Sequence, residues 1–171
     1  VMRTVKATDA NNPTQHQQAR KMALQRSYES IGGSCQWPAS AVAEDAGGYA
    51  TALAEDYHQW LALQHRYPFI DKKAPKRVTK LAVIWTDDGP VLCWTAPKYK
   101  DEMNRPVKYV VYRFAQGEKV NLNDATKIAG FTTQPISPLT YEGGKAKYTY
   151  VVTALDRLHN ESKPKKEKIK L

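Results

Sequence analysis

Asp156, His159, Asn160 and Glu161 crowd the end of the run "YTYVVTALDRLHNES", residues 148–162. Carboxylates beside an imidazole can bind a metal ion or relay a proton. A metal site would need a ligand spacing such as His-x-x-x-His, and one histidine among scattered carboxylates lacks it. Asp and Asn are turn formers, so the cluster reads as a turn and solvated loop where a strand ends. Other templates fail as well. His16, His58 and His65 are dispersed, and the last two lie seven residues apart. The glycine pairs at 32–33, 47–48 and 143–144 lack the Lys-Ser/Thr of a phosphate loop. There is no Gly-x-Ser-x-Gly elbow, and Cys35 and Cys93 have no nucleophile context. Two cysteines do not make a disulfide framework. Neither a catalytic residue, nor a metal, nor a cofactor is implied by these residues.

The 171 residues are 42% hydrophobic and 25% charged, ordinary values for a globular protein. No apolar run approaches the roughly 20 residues that span a bilayer. The opening "VMRTVK" reads as a strand already under way, so the chain is expected to be a fragment or mature piece of something longer. The net charge of +9 divides into +1 over residues 1–75 and +8 over 76–171. In the terminal "KPKKEKIKL", Lys166, Lys168 and Lys170 alternate with Glu167, Ile169 and Leu171. That is the pattern of an edge strand whose lysines face water and discourage pairing, rather than of a nucleic-acid patch.

The elements that must position these residues fall into two halves. In residues 1–66 the apolar spacing runs by threes and fours, and the order reads strand (1–6), helix (13–29), strand (33–37), helix (47–60). Asn12 is placed to cap the first helix, Pro13 to open it and Gly32–Gly33 to stop it. Tyr49, Leu53, Tyr57, Trp60 and Leu61 share one face of the second. Residues 67–75, "YPFIDKKAP", read as a linker or packed connection. Trp60, Tyr67, Phe69 and Ile70 need a surface, which predicts that the last helix docks on the second half of the chain. From 76 onward the period is two, with about seven strands separated by turn residues, the pattern of an antiparallel sandwich.

The second half resembles a fibronectin type III domain. The matching pieces are the inward Trp94 of "VLCWTAP", the Tyr109 of "KYVVYRF" and the pattern Y-x-Y-x-V-x-A-x-D…N-E-S that starts at Tyr148. The resemblance implies a tyrosine-corner role for Tyr148, with its hydroxyl bonded to nearby backbone.

A second resemblance covers nearly the whole chain. "QQARKMALQRSYESIGGSCQWPASAVAEDAGGYATALAEDYH", "YPFIDKKAP" and the sandwich together are similar to the C-terminal end of bacterial family-10-like glycosyl hydrolases of the cell envelope. It implies an α+β chain: terminal βα units of a (β/α)8 barrel in residues 1–66, a linker at 67–75, and a fibronectin type III-like β-sandwich at 76–171. The acid pair that glycoside hydrolysis requires would lie upstream, so this piece is expected to be inactive alone. Trp37, Gln36 and Arg3, at strand ends, are the expected substrate-binding residues. Trp37 is suited either to stacking on a sugar or to packing between the two domains. The resemblance further implies a glycan substrate in the parent protein and a periplasmic or extracellular location. A homodimer through the strand edges of Val1–Lys6 and Ser34–Trp37 is a possible assembly. The alternative is a non-catalytic carbohydrate- or protein-binding module.

Overall fold

Helix formation in the first half is limited by how little apolar surface its sequence offers. The computed structural model describes residues 2–3, 8–9, 12–37, 39–45 and 48–171, in two units, Val1–Gln59 and Trp60–Leu171. In the first, Met2–Arg3 (β1) pairs in parallel with Gln36–Trp37 (β4), and Thr8–Asp9 (β2) pairs antiparallel with Asn12–His16 (β3). Asn12 and Pro13, expected to start a helix, therefore stand in a strand. The helix proper, α1, runs only from Gln17 to Arg26. It stops where the Ser27 N–H is shared between the Ala23 and Leu24 carbonyls and the Ser27 hydroxyl donates to Leu24 O at 2.6 Å. Serine competes with the helical ladder in this way. Over its described side chains α1 buries Met22 and leaves Leu24 in water, too narrow a stripe to sustain a longer helix.

Two short helices come next, α2 (Ala39–Ala43) and α3 (Tyr49–Ala52). A π-helical turn over Leu53–Tyr57 ends the second, closed by His58 N–H donating to Leu53 O at 2.8 Å. Met22, Tyr49 and Leu53 form a small core with Val42 and Tyr57 packed against it. The expected face is thus met at Tyr49, Leu53 and Tyr57, whereas Trp60 and Leu61 lie beyond the helix and are exposed. These elements overturn the α+β reading with terminal βα units of a (β/α)8 barrel. The described chain is mostly β-sheet, its helices are few and short, and none is a barrel helix.

The second unit is a two-sheet β-sandwich. One sheet has the order β5 (Thr79–Thr86), β6 (Gly89–Thr95), β9 (Ile136–Pro138). The other runs β11 (Lys165–Lys170), β10 (Lys147–Leu155), β7 (Lys108–Ala115), β8 (Ile128–Thr132), antiparallel throughout. An Asp-Asp-Gly turn joins β5 to β6, with Gly89 at φ 115° and the Thr86 hydroxyl donating to Gly89 O. The third strand of the first sheet is confined to Ile136–Pro138, and Gly143 and Gly144, both at φ 69°, turn the chain farther on.

Alternation fixes the layers. Tyr109, Val111, Tyr150, Val152 and Ala154 meet Leu81, Leu92 and Trp94 between the sheets, and Trp94 packs edge-on to Tyr109 at 5.3 Å. On the opposite face Val110, Tyr112, Phe114, Val151 and Leu155 are also buried, under Leu63, Val120, Leu122 and Ile128. Burial on both faces explains why "YVVYRF" and "YTYVV" are apolar at nearly every position. In the tail, Ile169 and Leu171 are buried while Lys166, Lys168 and Lys170 are exposed.

Residues 60–75 belong to this unit, held by polar groups. Tyr67 N–H donates to Leu158 O, and Asn160 Nδ2 donates to Asp71 O at 3.2 Å. Asn104 Nδ2 reaches both the Asp71 carboxylate (3.1 Å) and Lys73 O (2.8 Å). The expectation of anchoring through large apolar side chains is not met: Phe69 is 81% and Trp60 58% exposed.

Trp94 fills the centre of the core between the sheets, so Trp94→Ala is expected to cost about 3–5 kcal/mol. Chemical denaturation of the full chain followed by circular dichroism checks this; a loss under about 1 kcal/mol would remove Trp94 from the core.

Candidate functional site

The Asp156–Glu161 cluster is not the solvated loop the sequence suggests. Asp156 is fully buried and Asn160 nearly so, and burial of a carboxylate demands compensating donors. Asp156 Oδ1 accepts the N–H groups of Leu158 and Asn160, each at 2.9 Å, and Oδ2 accepts Asn160 Nδ2 at 3.1 Å. His159 completes the turn at φ 63°. Glu161 Oε1 accepts the hydroxyls of Tyr112 (2.7 Å) and Thr153 (2.6 Å). Burial, and then the Glu161 carboxylate, push the Tyr112 phenol far above its ordinary value. Every one of these bonds is spent on holding backbone or neighbouring strands, which makes the cluster structural. Among the described residues, no group of three or more His, Cys, Asp or Glu is placed to hold a metal ion. Cys35 and Cys93 are free thiols, and no helix among the described residues is long and apolar enough to cross a membrane.

Arg3, Gln36 and Trp37 come together at backbone level: β1 and β4 are parallel, with Met2 opposite Gln36 and Arg3 opposite Trp37. Their side chains lie outside the described part of the structure.

The concave site that sequence reading missed is in the sandwich. β5 and β11 lie against each other along one side, whereas β8 and β9 end their sheets on the other. Between these two edges lies a cleft of about 570 Å³, within the 300–1,000 Å³ range of small-ligand sites. Val111, Arg113, Tyr148 and Tyr150 contribute its floor, Lys127–Ala129 and Ser137–Thr140 its walls, and Trp60 and Glu118 also line it.

Arg113 is the informative residue. Strand parity puts it on the same face as Tyr109 and Val111, the apolar interior, yet it carries a full charge. Its guanidinium lies 4.8 Å over the Tyr148 ring and 3.6 Å from Glu142 Oε1. The Tyr148 hydroxyl donates to both Glu142 oxygens, at 2.9 and 3.1 Å, where a bond to nearby backbone was expected. That carboxylate is the first cause raising the Tyr148 phenol above its ordinary value. Burial raises Tyr150, against the opposing pull of Arg113. Across the cleft Lys127 pairs with Glu118, and this bond, followed by the Ala115 N–H, holds the Glu118 carboxyl below its usual range. Two cations and two anions cancel in pairs, flanked by aromatic rings. Such a site suits a neutral, hydroxyl-rich ligand better than a charged one. The signal available in the sequence was a charged residue at an inward position of an apolar run, "YVVYRF".

No protein-family model matches the sequence. Over 151 residues, 88% of its length, the chain is 30% identical to Glycosyl hydrolase YngK of Bacillus subtilis (strain 168), and it spans only 29% of that relative. Among solved structures it resembles titin kinase with its flanking domains (TM-score 0.44, 20% identity, 57% of this chain and 17% of that one). It also resembles the Clostridium perfringens spore cortex lytic enzyme SleM (TM-score 0.38, 19% identity, 57% of this chain and 28% of that one). Neither superposition is close enough to bear on function.

The shifted tyrosines set a pH limit on the fold. Unfolded, they ionise near 10.0; folded, Tyr109, Tyr112 and Tyr150 hold their protons longer, chiefly through burial. Their contribution is full below about pH 10 and is lost as pH rises through the higher folded values. Melting temperature should therefore fall from about pH 10 upward, and more gently in Tyr112→Phe. A flat profile to about pH 12 would contradict the shifts.

Proposed function

We propose that this chain is a non-catalytic, glycan-binding part of a longer glycosyl-hydrolase-like protein, with a fibronectin type III-like sandwich whose cleft holds the sugar. The observation that carries the reading is the 30% identity to a glycosyl hydrolase across 88% of the chain. The cleft supports it chemically. A pyranose has an apolar C–H face and a rim of hydroxyls, and here aromatic rings stand beside paired charges that can hydrogen-bond those hydroxyls. Arg113, Tyr148 and Trp60 are the proposed contacts, with Arg3, Gln36 and Trp37 as further contacts within Val1–Gln59. A cell-envelope location is proposed with the same reading.

Binding without cleavage is what the carboxylates allow. Glycoside hydrolysis needs one carboxyl kept protonated as general acid beside a second carboxylate. In the cleft Lys127 stabilises Glu118 as the anion, and Arg113 sits against Glu142. Held as the anion, Glu118 is not set up to donate a proton.

Calorimetry with N-acetylglucosamine oligomers and with peptidoglycan glycan strands should show binding to at least one of them. Arg113→Ala should weaken it about tenfold, the scale of a lost hydrogen bond to a charged group. The same incubations should release no reducing ends. Absence of binding to all of these glycans would refute the reading, as would glycan cleavage abolished by Glu118→Gln.

A further inference from the structure

We infer that Trp85 and Tyr141 form a second sugar-stacking position beyond the cleft, so that the sandwich takes a glycan as a chain of several rings. The inference rests on the glycan reading above and extends it to ligand length.

Trp85 stands one step before the end of β5, on the face shared by Leu81 and Val83, and its backbone partner Pro90 is buried. Position and parity would make it a core residue. It is nevertheless 60% exposed, and Tyr141, which it meets edge-to-face at 5.2 Å, is 55% exposed. Two large rings left in water carry a penalty of roughly 25 cal/mol for each Å². Mutual contact relieves only part of it, because an edge-to-face pair leaves ring faces open.

Their placement gives the exposure a use. Tyr141 immediately precedes Glu142, the carboxylate that accepts the Tyr148 hydroxyl and pairs with Arg113. The aromatic pair thus continues the cleft's network by one residue. The turn behind it is set by backbone conformation: Gly143 and Gly144 both have φ 69°, which favours glycine. From the ring pair, the chain leads through Tyr141 to Glu142, which meets the Arg113 guanidinium and the Tyr148 hydroxyl. A polysaccharide presents the matching repeat of apolar pyranose faces and hydroxyl rims. A protein partner would instead call for one contiguous apolar patch, and Glu142 and Arg113 interrupt any such patch here.

The test titrates the full chain with the dimer and the hexamer of N-acetylglucosamine. Wild type should bind the hexamer more tightly than the dimer. Trp85→Ala and Tyr141→Ala should each weaken hexamer binding about tenfold, the scale of one lost anchoring side chain, and leave dimer binding unchanged. Hexamer binding should also shift tryptophan emission to the blue, and by less in Trp85→Ala, where Trp60 alone is covered; circular dichroism confirms that both variants fold. Unchanged hexamer affinity in the two variants would overturn the inference while leaving the glycan reading intact. Failure of wild type to bind either oligomer or glycan strands would remove both. Self-association by sedimentation that disappears in Trp85→Ala would instead assign the pair to a protein contact.

Discussion

The antiparallel register of β7 and β10, from Tyr148 opposite Ala115 to Leu155 opposite Lys108, is the constraint on which the sandwich unit depends. Both strands are buried on both faces, so most of their apolar residues are committed to one of two cores. A slip by one residue would exchange the two sets and send the Arg113 guanidinium into the layer now filled by Tyr112 and Phe114. Because the register is fixed, Arg113 falls where the inner core gives way to the cleft, within reach of Tyr148 and Glu142. The candidate site is thus a consequence of the central strand pair and of the unpaired edges of β8 and β9.

The polar residues divide by what they compensate. Asp156, Asn160 and Glu161 satisfy buried backbone and hydroxyl donors at the end of β10, and Asn104 and Asn160 extend the same solution to Asp71 and Lys73. A buried carboxylate is tolerated only when its lone pairs are filled, and here they are filled from within the fold. The cleft's ions are also paired, but across an open surface, where their remaining donors and acceptors can meet a ligand. Similar residue types therefore serve the fold where they are buried and stay open to solvent where they are not.

In the second half most of the architecture is legible in the chain. Period-two alternation, the Asp-Asp-Gly turn, the inward Trp94 and the two faces of "YTYVVTAL" correspond to what the structure contains. The first half is not legible in the same way. Asn12 and Pro13 have the chemistry of a helix start, yet extended pairing with Thr8–Asp9 takes that stretch, because a local cap cannot sustain a helix that has little apolar face to bury. Tyr49, Leu53 and Tyr57 keep their predicted face only until the π-helical turn ends it.

What the sequence by itself determined is periodicity: which residues share a strand face, where turns fall, and that no nucleotide loop, metal spacing or nucleophile elbow is present. Those properties are local and are set by covalent geometry and side-chain type. Only the tertiary structure decided that Asp156 is buried rather than solvated, that Tyr148 bonds Glu142, and that Arg113, Glu118 and Lys127 meet around one cleft. The partners are near in the chain for Asp156 and Tyr148 and far for Arg113 and Glu142, but in each case the outcome is fixed by strand pairing and desolvation rather than by any spacing the sequence displays.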